Sequence, residues 1–238
     1  MRKPMKKSHL QRLTAVVLAL TMLLSLCLPL SAEKPIRAYY HVSTTEKAIA
    51  LTIDDGPHPR FTDSILEILE KEKIPATFFV IGSNVEAYPD VMRRVIAAGH
   101  EIGNHTYRHP IVKTVTDEEM AWEIDKTDEV LRNIGYSGNG LFRPPQGKFS
   151  DTLPALLEKN NKTAILWNID TRDWAHTPSE EIVNTIEKNI CGGDIILFHD
   201  YVSGESTTIP AIKKLIPMLK ERGYQFVTVS ELLSLRDS

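Results

Sequence analysis

The chain has 238 residues, of which 42% are hydrophobic and 25% are charged, and its formal net charge is −3 at pH 7. This length predicts one large domain or two small ones, and the ordinary hydrophobic content argues against a disordered chain. The acidic balance and the lack of a basic cluster in the body of the sequence predict that nucleic acid is not a partner.

Residues 1–32 differ from the rest of the chain in composition. Five basic residues accompany an apolar run over residues 13–30, the pattern of a secretory signal peptide. The run is also nearly long enough to span a bilayer, so an uncleaved membrane anchor through residues 13–30 is the alternative. In either case we expect the remaining chain outside the cytoplasm, either secreted or anchored at the cell envelope.

Removal of residues 1–32 leaves 23 lysines and arginines against 31 aspartates and glutamates, a net charge of −8. It also leaves Cys191 as the one remaining cysteine, so no disulfide can form within the body of the chain. The sequence has no Cys-x-x-Cys motif, so we expect a metal site to use histidine and carboxylate ligands.

Beyond a short polar lead-in over residues 33–46, strand and helix patterns alternate along the chain. Strands are predicted at 48–53, 76–81, 100–104, 141–143, 163–170, 194–199 and 225–229. Helices are predicted at 61–73, 90–98, 117–134, 150–159, 179–189 and 209–221, followed by a final turn at 231–235. Ser150 is a candidate N-cap, and Pro217 is expected to kink the sixth helix or end it early.

Helices between successive strands imply crossover connections and a parallel sheet. About seven such units favour a closed (β/α) barrel of the α/β class over an open doubly wound sheet. No internal repeat or low-complexity linker divides the body, so we predict one catalytic domain over residues 47–235. Active sites in such barrels lie at the carboxyl ends of the strands.

Polar residues follow five of the predicted strands at these ends. They are Asp54-Asp55, His105 to His109, Arg143 to Gly147, Asp170 to Trp174, and His199-Asp200. If the barrel is correct, all five groups converge on one mouth, and this recurrence is stronger evidence for a site than any single group.

Asp54 and Asp55 place two like charges side by side, which is costly unless a cation compensates them. They can equally begin a turn and cap the following helix. His105 and His109 have the i, i+4 spacing that lets two imidazoles face one point. Two histidines and one aspartate leave coordination positions open, as a catalytic metal needs, but the same ligand types also suit non-haem iron oxygenases. Ligand identity alone therefore does not determine the chemistry.

Taken together, the five groups resemble the motifs of polysaccharide deacetylases of the NodB-homology type, carbohydrate esterase family 4, which include bacterial peptidoglycan and chitooligosaccharide deacetylases. The matching stretches are Thr52-Ile-Asp-Asp-Gly-Pro57, His105-Thr-Tyr-Arg-His109, Arg143-Pro-Pro-Gln146, Asp170-Thr-Arg-Asp173-Trp174 and Leu197-Phe-His199. The match spans residues 48–230 in the family's order. The resemblance implies a distorted (β/α)7-type barrel, which agrees with the strand count.

The resemblance implies a role for each site residue. The implied metal ligands are Asp55, His105 and His109, holding one divalent ion, with zinc as the first choice and cobalt, manganese or nickel as alternatives. The implied catalytic residues are Asp54 as general base, Arg143 as its partner, His199 as general acid and Asp173 as the residue that orients the acid. The implied substrate-binding residues are Trp174 and Leu197, which would wall the acetyl methyl pocket, and Gln146, whose backbone N–H would bind the oxyanion.

One position departs from the family pattern. Members usually carry an aromatic residue where this chain has Gln146, so substrate packing at that position is expected to differ. The implied reaction is metal-dependent N-deacetylation of a glycan by a monomeric enzyme. Bacterial peptidoglycan, at GlcNAc or MurNAc, is the first-choice substrate, and chitin oligomers, poly-N-acetylglucosamine and acetylxylan are alternatives. A non-catalytic glycan-binding relative is the alternative from another class of protein.

Overall fold

The computed structural model describes residues 38–138, 140–201 and 204–236. The predicted signal or anchor segment, residues 1–32, lies outside the described residues, as does the beginning of the lead-in. None of the described helices combines the length and the apolar character needed to cross a membrane.

Nine strands are described, and they form one sheet. They are β1 (Ala38–Tyr39), β2 (Ala48–Asp54), β3 (Thr77–Val80), β4 (Glu101–Asn104), β5 (Leu141–Phe142), β6 (Thr163–Ile165), β7 (Ile169–Asp170), β8 (Ile195–His199) and β9 (Gln225–Val227). The strand order is β1-β6-β5-β4-β3-β2-β8-β7, with β9 also paired to β2, and every named pair is parallel.

Helices connect and cover these strands. They are α1 (Phe61–Glu72), α2 (Gly82–Ala87), α3 (Pro89–Ala97), α4 (Asp117–Asn133), α5 (Leu153–Lys159), α6 (Ser179–Asn189), α7 (Thr208–Glu221) and α8 (Val229–Ser234). The sheet curls as a (β/α)7-type barrel does, and an isolated antiparallel bridge between His41 and Asp194 joins the chain after β1 to the start of β8. The predicted fold class is therefore confirmed.

Strand β2 shows how the sequence pattern positions the site. All seven of its residues are buried, as expected for a parallel strand covered on both faces. Ile49, Leu51 and Ile53 join the large core that also contains helix residues, whereas Ala48 and Ala50 belong to a separate, smaller cluster. Because side chains alternate along a strand, Asp54 lies on the same face as the two alanines.

Strand β1 and helix α2 have no counterpart among the predicted elements, and the structure differs from the prediction in three further places. The strand expected over residues 163–170 is divided into β6 and β7, because the carbonyls of Ile165 and Leu166 accept hydrogen bonds from the Arg143 guanidinium. Helix α5 begins after Thr152 rather than Ser150, although the Ser150 hydroxyl still accepts a bond from the Leu153 N–H at 3.1 Å.

The third difference concerns Pro217, which does not end helix α7. Proline removes one backbone hydrogen bond from a helix interior. Here the helix is held by its packed face, since most helical stability in proteins comes from tertiary burial. The buried residues of this helix are Thr208, Ala211, Ile212, Leu215, Ile216 and Leu219.

Candidate active site

Strand register brings the first two predicted catalytic residues together. Asp54, the last residue of β2, pairs in register with His199, the last residue of β8. The Asp200 N–H donates to the Asp54 carbonyl at 2.8 Å and extends this pairing by one residue. Two polar side chains therefore emerge side by side at the carboxyl end of the sheet.

Asp55, His105 and His109 form a compact set of potential metal ligands. One ligand atom from each lies within 4.8 Å of the others. Nε2 of His105 is 3.5 Å from Asp55 Oδ1, and Nε2 of His109 is 3.7 Å from the same oxygen. That oxygen is buried and has no hydrogen-bond partner among the described residues. An unsatisfied carboxylate oxygen facing two imidazoles fits a divalent cation well.

The backbone of this ligand set adopts left-handed conformations, with φ of 73° at Asp55, 68° at Thr106 and 56° at His109. Such conformations are uncommon in residues other than glycine, and they persist only where surrounding contacts impose them. Asn84 provides one such contact by donating from Nδ2 to the Asp55 carbonyl at 2.8 Å.

The surroundings of the two histidines favour the neutral form or orient the ring toward Asp55. His105 Nδ1 lies 2.7 Å from the Arg143 carbonyl, a bond in which Nδ1–H donates, so the ring directs Nε2 toward Asp55. Burial and the neighbouring His105 lower the pKa of His109, which favours the neutral ring that metal binding requires.

Asp54 is held by the buried Arg143. The guanidinium Nη1 donates to Asp54 Oδ1 at 2.6 Å and to the Thr52 hydroxyl at 2.9 Å. Its carbon lies 4.0 Å from the centre of the Phe79 ring. The other carboxylate oxygen of Asp54 is 3.7 Å from His105 Nε2, so Asp54 borders the ligand set without being one of its three members.

His199 and Asp173 form the second buried pair. Asp173 Oδ1 lies 2.8 Å from His199 Nδ1, and Oδ2 accepts from the His199 N–H and from the Thr208 hydroxyl. Burial alone would lower the pKa of His199, but the hydrogen bond and charge of Asp173 raise it to about 9. Burial opposes ionisation of Asp173, yet the bonds from His199 and Thr208 leave its pKa below the usual value. The pair is therefore charged near neutral pH, with a proton available at His199 Nε2.

The predicted substrate-binding residues occupy three different environments. Trp174 is 51% exposed, and its backbone N–H donates to Asp173 Oδ1 at 2.9 Å. Leu197 is buried on β8, two residues before His199 and on the same face of the strand. Gln146 is exposed in the turn Pro145–Gly147, with φ of 58°.

Two residues that support the site were missed by sequence reasoning. Glu123, buried in α4, accepts bonds from the backbone N–H groups of Tyr107 and Arg108 and so holds the loop between the two histidine ligands. The sequence feature that could have identified Glu123 is a glutamate on the apolar face of a predicted helix. Thr62 donates to the buried carboxyl of Asp200 at 2.5 Å, and it offers no such signal.

Asp200 packs directly beneath the Asp54-Asp55 turn. A Cβ on Gly56 would lie 2.2 Å from Asp200 Oδ2, so a side chain there would displace the Asp200 carboxyl. Burial raises the pKa of Asp200 to about 7 in spite of the bond from Thr62. The Asp200 carboxyl therefore contacts the turn that carries Asp54, the predicted base, and Asp55, the first predicted metal ligand.

Comparison with known proteins agrees with this geometry. The family model for polysaccharide deacetylase matches residues 41–165. A peptidoglycan-N-acetylglucosamine deacetylase of Bacillus cereus is 40% identical over 196 residues, covering 82% of this chain and 92% of the relative. The peptidoglycan-N-acetylmuramic acid deacetylase PdaC of Bacillus subtilis is 37% identical over 191 residues, 80% of this chain but 40% of that protein.

Among solved structures, a peptidoglycan N-acetylglucosamine deacetylase superimposes with a TM-score of 0.81 at 33% identity, covering 87% of this chain and 97% of the other. The family model, the sequence identity and the structural superposition thus agree. The chain belongs to the polysaccharide deacetylase family.

Proposed function

We propose that this chain is a metal-dependent deacetylase of N-acetylated glycans, with bacterial peptidoglycan, at GlcNAc or MurNAc, as its first-choice substrate. Family membership makes the chain a hydrolase that acts on carbon–nitrogen bonds other than peptide bonds. The observation that carries the proposal is the position of His105 Nε2, 3.5 Å from Asp55 and 3.7 Å from Asp54. A ligand set of Asp55, His105 and His109 therefore adjoins a second, arginine-paired carboxylate.

The donor set of two imidazoles and one carboxylate fits zinc, with cobalt, manganese and nickel as alternatives. A divalent ion held by Asp55, His105 and His109 supplies Lewis acidity for the acetamide carbonyl and lowers the pKa of water.

Asp54 is the proposed general base. Arg143 donates to its Oδ1 at 2.6 Å and fixes the carboxylate beside the ligand set, where the proposed role of Asp54 is to take a proton from the attacking water. The backbone N–H of Gln146 is the proposed donor to the oxyanion, and one such donor typically contributes about 3–4 kcal/mol.

His199 is the proposed general acid. Asp173 keeps its ring protonated and fixes Nδ1, so Nε2–H can protonate the departing nitrogen. General acid catalysis of this kind contributes roughly 100- to 10,000-fold in rate. Leu197 and Trp174 are proposed to enclose the acetyl methyl group.

Peptidoglycan is favoured because the two relatives named above act on it and because residues 1–32 carry a signal or anchor pattern. A cell-wall substrate lies outside the membrane, where such a segment would deliver residues 33–238. We accordingly propose a monomer at the cell envelope, either secreted or attached through residues 13–30.

The direct test is acetate release by the zinc-loaded full-length chain. The substrates are peptidoglycan, chitin oligomers, poly-N-acetylglucosamine and acetylxylan, each with and without a chelator. We expect chelator-sensitive release from peptidoglycan. Release from only one of the other glycans would identify that glycan as the substrate in place of peptidoglycan. No release from any of them, with zinc bound, would favour a non-catalytic glycan-binding protein.

Three variants test the roles of the residues. Asp54→Asn should abolish turnover while zinc still binds. His105→Ala should lose both turnover and zinc binding. Asp63→Asn is the matched control, because it makes the same change in a surface carboxylate paired with Arg94. Wild-type turnover in Asp54→Asn would show that the base has been assigned wrongly.

A further inference from the structure

A second cluster of ligand-type side chains lies at the opposite end of strand β8. Cys191 and Asp194 directly precede this strand, and His41 follows β1. At about 3.3 Å per residue, the five-residue step from Asp194 to His199 places this cluster roughly 16 Å from the candidate active site. It therefore lies outside the candidate active site described above.

Three donors of different chemical type converge there. His41 Nε2, Cys191 Sγ and a carboxylate oxygen of Asp194 all lie within 4.8 Å of one another. The sulfur is 3.2 Å from Asp194 Oδ1, and His41 Nε2 is 3.7 Å from that oxygen. Tetrahedral zinc with bonds of about 2.0–2.3 Å places its ligand atoms roughly 3.3–3.8 Å apart.

Hydrogen bonds already orient the Asp194 carboxylate, as a metal ligand requires. Asp194 is fully buried, and its Oδ2 accepts from the Cys191 N–H at 2.7 Å. Its Oδ1 accepts from Asn168 Nδ2 at 2.6 Å, while Asn168 Oδ1 accepts from the Ile195 N–H. Hydrogen bonds of this kind fix ligand orientation in metal sites.

The backbone between the donors leaves room for the imidazole. A Cβ on Gly193 would lie 1.8 Å from the Val42 carbonyl and 2.9 Å from His41 Nε2, and its φ is 88°. A side chain at this position would therefore displace His41 from Cys191 and Asp194. The Val42 N–H also donates to the Gly193 carbonyl at 2.9 Å, which holds the two segments together.

We propose that His41, Cys191 and Asp194 form a second divalent-cation site, suited to zinc, which joins the segment after β1 to the start of β8. His41 and Cys191 are exposed, so water can complete the coordination. On binding, the thiol proton that now faces Asp194 passes to solvent and the sulfur becomes a thiolate ligand. His41 Nε2, which now donates to the Gly192 carbonyl at 3.1 Å, gives up that bond and binds the cation as the Nδ1–H tautomer. The link ties residues about 150 positions apart, so its role is structural.

A reactive cysteine is the other reading of this cluster. Burial and the Asp194 carboxylate raise the pKa of the Cys191 thiol, whereas nucleophilic cysteines have a lowered pKa. The convergence of three ligand atoms of different chemical type favours a metal site over a nucleophile.

The test uses cobalt(II), because thiolate coordination produces a charge-transfer absorption that the sulfur-free set of Asp55, His105 and His109 cannot produce. The protein is the full-length chain with Cys27→Ser, which leaves Cys191 as its one thiol. We expect the thiolate band and about two cobalt ions bound per chain. Cys191→Ser should remove the band and one ion, and His41→Gln should weaken the band-producing site at least about tenfold.

Matched variants separate this site from the proposed deacetylase site. His105→Ala should keep the thiolate band, and Cys191→Ser should keep acetate release unchanged. Absence of the band in the Cys27→Ser chain would overturn the proposal, as would a band that persists in Cys191→Ser, and neither result bears on deacetylation. Because the Cys27→Ser chain decides the outcome alone, the test remains valid if Cys191→Ser does not fold.

Discussion

Replacement of Arg143 by methionine tests whether the buried Arg143–Asp54 pair organises the barrel interior. Arg143 has no exposed surface, and its guanidinium donates to Asp54, to Thr52 and to the carbonyls of Ile165 and Leu166. Methionine can keep the packing on Phe79 but leaves Asp54 as an uncompensated buried charge. Breaking a buried pair in this way costs about 3–5 kcal/mol.

The expected loss in the free energy of unfolding is large enough to measure by thermal or urea unfolding of the chelator-treated protein, with tryptophan fluorescence as the signal. For a domain of this size, it corresponds to a decrease in Tm of about 6–20 °C. Arg94→Met is the matched control, because Arg94 makes a bidentate pair with Asp63 at the surface, where the two side chains are 51% and 39% exposed. Exposed pairs contribute at most about 1 kcal/mol.

Adding Asp54→Asn to Arg143→Met provides the decisive comparison. Since the second change removes the unpaired charge, the double variant should be more stable than Arg143→Met alone. The reasoning is refuted if Arg143→Met loses no more stability than Arg94→Met, or if the two changes simply add.

Three further predictions concern pH and metal. Asp173→Asn removes the charge that raises the pKa of His199 to about 9, so the alkaline limit of kcat/KM for acetate release should move to lower pH by about one unit or more; an unmoved limit would exclude His199 as the acid. Asp200 keeps its proton up to about pH 7 in the folded chain, whereas the unfolded chain releases it near pH 4, so rising pH destabilises the fold across this interval. Urea unfolding of Asp200→Asn should show a smaller decrease over that range, and an identical pH dependence would contradict the assignment. Zinc at about 100 times its Kd should stabilise the wild type by about 2.7 kcal/mol through each site, and calorimetry of His105→Ala should show loss of one such contribution; an undiminished gain in His105→Ala would remove that histidine from the ligand set.

The sequence by itself determined the fold class and the composition of the candidate site. Residues 48–53 form a buried strand because an apolar, partly β-branched run is stabilised by burial within a parallel sheet. The two aspartates that follow therefore lie at the end of a strand. The same local reasoning located His105 and Arg143, since each follows a recognisable strand. Strand–helix alternation and strand-end polarity are short-range patterns, and they are readable without coordinates.

Only the tertiary structure decided which distant residues meet. The carbonyls of Ile165 and Leu166 divide a predicted strand because Arg143 reaches them across the interior, and Pro217 remains within a helix because the packed face of that helix outweighs one lost hydrogen bond. His41 and Cys191 are about 150 positions apart, and no local periodicity relates them. Barrel closure brings them together, because the fold joins the chain after β1 to the start of β8.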